Sequence, residues 1–237
     1  MIPWILLDTA HVPEGGELRL KRRGDEFSIM AGATELMNSR LSGSEQALAT
    51  LVCARLGACP APVLLIGGLG MGFTLRAALA VLPAQARVVV AELVPAVIDW
   101  ARGPMAPIFG DSLDDPRVAL IAGDVAERLR EGRAVFDGIL LDVDNGPGGL
   151  TREANDGLYS PAGLAVAWAA LRPGGVLAVW SSAPDSSFTM RLRRAGFAVE
   201  EARVRAHGKS GARHVIWLAQ KPAKGAAPVA TRPPRRP

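Results

Sequence analysis

The chain has 237 residues, 49% of them hydrophobic, and a formal net charge of +4. That length holds one domain with a substantial core and a small appendage, and no apolar run reaches the length of a membrane span. Two cysteines six positions apart, Cys53 and Cys59, make neither a disulfide framework nor a metal-ligand spacing, so a reducing cytoplasm is the expected compartment.

Residues 1–42 run as short strand-like bursts: Pro3 to Asp8, Glu17 to Arg22, Glu26 to Ala31 and Glu35 to Arg40. Gly15-Gly16, Gly24-Asp25 and Gly32 punctuate them, which predicts a small antiparallel β unit. The Trp4–Leu7 run is too short for a signal peptide and lacks a basic leader. From Ser44 the spacing turns helical, through Ala47, Leu48, Leu51, Val52, Arg55 and Leu56, with Ser42 or Ser44 as N-cap.

Strands and helices then alternate over 43–220. The strands expected are Val63–Gly67, Arg87–Glu92, Val118–Ala122, Phe136–Asp142 and Val176–Ser181. Between and after them come helices at Phe73–Leu82, Pro95–Arg102, Val125–Glu131, Pro161–Leu171 and Ser186–Ala195, the last capped by Asp185. This is the signature of an α/β, Rossmann-like doubly wound sheet. Two further strands, Ala198–Arg205 and His214–Gln220, predict an antiparallel hairpin at its edge, with a basic turn from Arg205 to His214. That turn is either solvated or faces the site, where it would favour an anionic acceptor. Residues 221–237 are rich in Pro, Ala and Arg without apolar periodicity and read as a disordered basic tail.

The chemistry concentrates after the first strand of this alternation. Val63-Leu64-Leu65-Ile66 breaks into Gly67-Gly68-Leu69-Gly70-Met71-Gly72 and opens a helix, the context of a nucleotide-binding turn. Glu92 ends the next strand, twenty residues past Gly72, where a carboxylate can accept both ribose hydroxyls. There is no Gly-Lys-Ser/Thr, which excludes a P-loop, and the third glycine of a dinucleotide fingerprint is displaced by one. The G-x-G-x-G form suits a nucleoside carrying a short amino-acid-like chain, such as S-adenosylmethionine. Asp124 follows the third strand. Asp142 and Asp144 end the fourth, before the turn Asn145-Gly146-Pro147, where carboxylates can orient an amine or take its proton. Structural alternatives exist for each: tight helix packing for the glycines, a solvated loop for Glu92, a turn cap for Asp142.

Over Ser44 to Gln220 the chain resembles the spermidine synthase family. Gly67–Arg76 looks like its G-G-G-D-G-G-T-L-R, Ala91-Glu92-Leu93 like its V-E-[IL]-D, and Asp142-Val143-Asp144-Asn145-Gly146-Pro147 like its D-S-[ST]-D-P-x-G-P. The resemblance implies a class I methyltransferase type of sheet, with Gly67, Gly68, Gly70, Gly72, Glu92 and Asp124 binding the nucleoside. Glu92 would hold the ribose and Asp124 the adenine amino group. Asp142 and Asp144 would be catalytic, and Gln46, Asn145 and Tyr159 would meet substrate. The co-substrate is then S-adenosylmethionine or its decarboxylated form, with no metal, and the partner a small amine acceptor. Nucleic acid and membrane are disfavoured as partners, and a homodimer fits without being required.

Two departures order the readings. The family's acid in the glycine loop, which meets the amine of decarboxylated S-adenosylmethionine, is absent, with Leu69, Gly70 and Met71 in that region. Its tyrosine before the loop is replaced in the neighbourhood by Glu45-Gln46, and Tyr159 is the sole tyrosine. The pocket is therefore expected to be poor in acids and aromatics. The first expectation is a methyltransferase acting on a small amine, the second an aminopropyltransferase, the third a non-catalytic adenosyl-nucleotide-binding protein.

Overall fold

In the computed structural model of the chain, residues 2–13, 15–143, 146–147, 157–207 and 210–223 are described. Two sheets organise it. The first is a four-stranded antiparallel meander of β1 (Ile5–His11), β2 (Glu17–Arg23), β3 (Glu26–Ala31) and β4 (Thr34–Asn38), in that spatial order. The second is the seven-stranded sheet to which the longer part of the chain contributes. Its strands are β5 (Val63–Gly67), β6 (Arg87–Glu92), β7 (Val118–Ala122), β8 (Phe136–Leu141), β9 (Leu171–Ser181), β10 (Ala198–His207) and β11 (Ser210–Gln220), in the order β10-β11-β9-β8-β5-β6-β7. β5 to β9 run parallel; β11 is inserted antiparallel between β9 and β10.

The helices are α1 (Gly43–Leu56), α2 (Phe73–Val81), α3 (Pro95–Arg102), α4 (Ala106–Phe109), α5 (Val125–Glu131), α6 (Pro161–Ala170) and α7 (Ser186–Arg194). The central strands are apolar on both faces because both are covered. Leu64, Ile66, Leu140 and Ala178 point to the side of Leu48 and Val52 from α1, Leu75 from α2 and Trp100 from α3. Leu65, Ile139, Leu141 and Leu177 point to the other, against Leu129 of α5, Leu164 of α6 and Phe188 of α7. The period of two along each strand thus divides the core into two layers.

The small sheet joins the first layer through Leu20 and Ile29. Trp100 Nε1 donates to Asp8 at 2.7 Å, and Met37 of β4 lies against Gly70. It therefore roofs the glycine turn. Three helix starts are capped as local chemistry dictates: Asp124 accepts from the Ala126 amide, Ser160 from Gly163 with Pro161 next to it, and Asp185 from Ser187 and Phe188. Ser42 stands at the N-cap of α1 without a side-chain cap bond; Gln46 reaches back to its hydroxyl instead, at 2.9 Å.

Three expectations change. α4 and the 3₁₀ turn after it (Gly110–Leu113) were hidden by glycine and proline, and they form because Met105 and Phe109 bury completely. β9 begins at Leu171 rather than Val176, since Leu171 already pairs Phe136 before the register shifts. Arg205–His207 and Ser210–His214 belong to paired strands, with Arg205 opposite Arg213, so among the described residues the expected wide basic turn is strand instead. Among the described residues no helix is long and apolar enough to cross a membrane. The expected tail lies outside the described residues from position 224 onward.

Candidate active site

β5 pairs with β6 on one side and β8 on the other, and the chain winds away from β5 in both directions. A crevice opens at the carboxyl ends of strands at such a switch point. Here the ends are tied together by backbone. The Gly68 amide donates to the Ala91 carbonyl at 2.9 Å, and the Asp142 amide to the Gly67 carbonyl at 3.0 Å. Gly68 has φ +88°, and a Cβ there would sit 2.5 Å from the Asp142 carbonyl oxygen, so only glycine lets the two strand ends meet.

Above them lies a cavity of about 240 Å³. Its walls carry five carboxylates, Glu17, Glu45, Glu92, Asp124 and Asp142, and among the described residues no Lys, Arg or His. The expectation of an acid-poor pocket is therefore corrected. The acids not expected there are Glu17, which reaches the cavity from β2, and Glu45, which reaches it from α1. Trp180 of β9 and Met37 of β4 add apolar wall.

Glu92 is 8% exposed. Its Oε2 accepts from the Leu69 amide at 2.8 Å and its Oε1 from the Val94 amide at 2.9 Å. Burial pushes its carboxyl up, against the pull of the amides of Val94, Leu69, Gly70 and Leu93. Glu92 lines the cavity, the place where two vicinal hydroxyls would meet it. Glu92 also fixes the glycine turn, a duty the sequence did not announce.

Asp142 accepts from Thr74 Oγ1 at 2.7 Å through Oδ2. Burial first, then the Glu45 carboxylate, push its carboxyl up to about 7, offset in part by Thr74. Glu45 Oε2 accepts from Ser44 Oγ at 2.7 Å, and His214 Nδ1 lies 2.9 Å from the same hydroxyl. The Ser44 proton is committed to Glu45, so His214 is the donor in that second bond. Burial holds His214 below its ordinary value, against the Glu45 charge, so it stands neutral at pH 7. Its ring meets Trp180 edge-on, 4.8 Å between centroids.

The other expected residues divide. Gly68 and Gly70 line the cavity, whereas Gly67 backs onto Val125 and Gly72 onto Phe109. Asp124 lines the cavity and caps α5 at once, its Oδ1 accepting from Ala126 at 2.8 Å. Gln46 is exposed and absent from the cavity wall, occupied with Ser42. Tyr159 is buried in the second core layer, edge-on to Phe188, with its hydroxyl donating to the Val143 carbonyl at 3.4 Å. It supports the segment after β8, next to Asp142. Asp144 and Asn145 lie outside the described residues. Among the described residues no group of three His, Cys, Asp or Glu could hold a metal ion.

Comparison with solved structures decides the fold. Spermidine synthase from Thermotoga maritima superposes with a TM-score of 0.73 at 19% identity, over 94% of this chain and 74% of that one. A spermidine synthase in complex with the transition-state analogue AdoDATO gives 0.72 at 18% identity, with the same coverage. In sequence, polyamine aminopropyltransferase of Mycobacterium tuberculosis H37Rv is 37% identical over 148 residues, 58% of this chain and 27% of the relative. The fold is that of the spermidine synthases. Putrescine N-methyltransferase 1 of Nicotiana tabacum is 38% identical over 125 residues, 52% of this chain and 31% of the relative. The alignments thus span about a quarter to a third of these curated relatives' lengths. No family model matches the chain. In this fold, the glycine turn, Glu92 and Asp142 sit on neighbouring strand ends around one cavity.

Proposed function

We propose that the chain is an S-adenosyl-nucleotide-dependent transferase acting on a small amine of the polyamine class. The observation that carries this is the cavity at the switch point, with five carboxylates and, among the described residues, no cationic side chain in its wall. A sulfonium donor and an ammonium acceptor are both cations, and such a wall attracts them both. The names of the aligned relatives, an aminopropyltransferase and a putrescine N-methyltransferase, support the same pairing of donor and acceptor.

In this reading Glu92 accepts the ribose hydroxyls, and Gly68 and Gly70 let the backbone approach the donor. Asp142 takes a proton from the acceptor ammonium. The freed nitrogen forms a bond to the carbon next to sulfur, the carbon–sulfur bond breaks, and its electron pair leaves as a neutral thioether. The sulfonium is already a good leaving group, so positioning and deprotonation are what the protein supplies. A carboxyl that titrates near 7 is suited to that proton.

Methyl transfer is the first reading, because the glycine loop presents buried Leu69 and Met71 and no acid to select a decarboxylated donor. Aminopropyl transfer is the second. It is favoured by the lack, among the described wall residues, of a cationic side chain to pair with the carboxylate of S-adenosylmethionine. Titrating both donors side by side, with putrescine as acceptor, tests the pair. Methyl transfer predicts N-methylputrescine and no tighter binding of the decarboxylated donor. Tenfold tighter binding of that donor, or spermidine from putrescine, establishes the second reading. Donor binding without turnover over a broad amine panel refutes the enzyme and leaves a nucleotide-binding protein.

A further inference from the structure

Resting on that reading, we propose that Glu45 is the specificity-determining acid for the acceptor. Its carboxylate and that of Asp142 hold the reacting ammonium between them, and Ser44 and His214 set its position.

The argument begins with where the two acids come from. Glu45 sits in the first turn of α1, where the helix N-terminus favours a negative charge. Asp142 follows β8. Both line the one cavity, and Thr74 Oγ1 ties the start of α1 to the end of β8, 2.7 Å from Asp142 Oδ2 and 3.3 Å from the Glu45 backbone carbonyl.

Two carboxylates in one cavity wall oppose each other unless a cation joins them. The fold supplies none. Among the described residues neither Glu45 nor Asp142 makes an ion pair, and His214, the nearest basic side chain in the network, reaches Glu45 through the Ser44 hydroxyl and as a neutral donor. Each carboxylate has one hydroxyl partner, Thr74 for Asp142 and Ser44 for Glu45, which leaves acceptor capacity on both. A primary ammonium has three donors and one positive charge, and it answers both deficits. Trp180 lies in the same wall, and an indole ring attracts a cation.

The support behind Glu45 is directional. Ser44 is fully buried and has one proton, which goes to Glu45 Oε2. His214 occupies the Ser44 lone pair and is itself packed on Trp180. This chain restricts the Glu45 rotamer before any acceptor arrives, which lowers the ordering cost of binding.

The test is calorimetric titration of putrescine into the full chain saturated with 5′-methylthioadenosine, together with titration of S-adenosylmethionine alone. Glu45→Gln keeps the shape and the acceptor for Ser44 but removes the charge. It should weaken putrescine by about tenfold or more and leave S-adenosylmethionine within about twofold. Glu45→Asp should recover part of the loss. Ser44→Ala should weaken putrescine by about threefold with unchanged donor affinity. Carbon NMR titration of Asp142 reads the coupling of the two carboxylates, with its carboxyl titrating at lower pH in Glu45→Gln. Putrescine affinity within twofold of wild type in Glu45→Gln, or no putrescine binding by a wild type that binds the donor, overturns the proposal alone. A wild type that does not bind S-adenosylmethionine overturns the transferase reading and the proposal with it.

Discussion

Asp142→Asn separates stability from chemistry at one position. The folded carboxyl titrates near 7, against 3.8 ordinarily. Between these values the unfolded chain is ionised while the folded chain keeps its proton. The folded state then binds more protons, so its stability falls as pH rises. The contribution is fully present below pH 4 and lost above pH 7. At about 1.4 kcal/mol per pH unit the loss amounts to at most about 4 kcal/mol. Asparagine cannot ionise and escapes it. Urea unfolding of both proteins from pH 4 to 8 should show curves that start close together and diverge, with the variant the more stable by up to about 4 kcal/mol at pH 8. Groups unaffected by the substitution cancel in the difference. The same variant should bind donor normally and lose turnover by roughly 10²–10⁴-fold, the usual cost of removing a general base. A stability difference that stays constant across the range refutes the argument, because it would mean that Asp142 ionises as freely in the fold as in the open chain.

Glu92→Ala should lower S-adenosylmethionine affinity by about tenfold or more by calorimetry; because Glu92 also holds the Leu69 and Val94 amides, its melting temperature should fall too. Gly70→Ala meets φ +50° and a Met37 sulfur 2.7 Å from the new Cβ. It should cost about 1–2 kcal/mol by urea unfolding, and Met37→Ala should relieve the steric part. Thr74→Val removes the hydroxyl that opposes the upward push on Asp142, so the acid limb of kcat/KM should move to higher pH.

The parallel sheet was legible because β5, β6 and β8 are short, continuous apolar runs, and a strand buried on both faces must be one. Their order follows from winding outward from β5, and the ends of those runs name Gly68, Glu92 and Asp142 at once. Elements held by tertiary contact alone were not legible. α4 has proline and glycine around it and forms because Phe109 finds a buried place, with its ring over Gly72. Of the four glycines expected to meet a ligand, two face the cavity and two make room for Val125 and Phe109. Spacing does not distinguish these uses, since both require the same missing Cβ.

Glu45 shows the limit most sharply. It was read together with Gln46 as the pair standing where a tyrosine was expected, yet neighbours on a helix point about 100° apart. Ser44, Leu48 and Val52 form the buried stripe of α1, while Gln46 and Thr50 are exposed. Glu45 falls between the two, on the edge that meets the cavity. The rotation of α1 that puts it there is fixed far away, by Leu48 and Val52 seating on the sheet beside Leu64 and Leu140. Its partner His214 comes from β11, whose place beside β9 depends on the register of Val215 against Ser181. The carboxylate pair that the site's specificity is proposed to rest on is therefore assembled from a helix start, a parallel strand end and an antiparallel strand. Each is readable alone, and only the packed sheet brings them to one cavity.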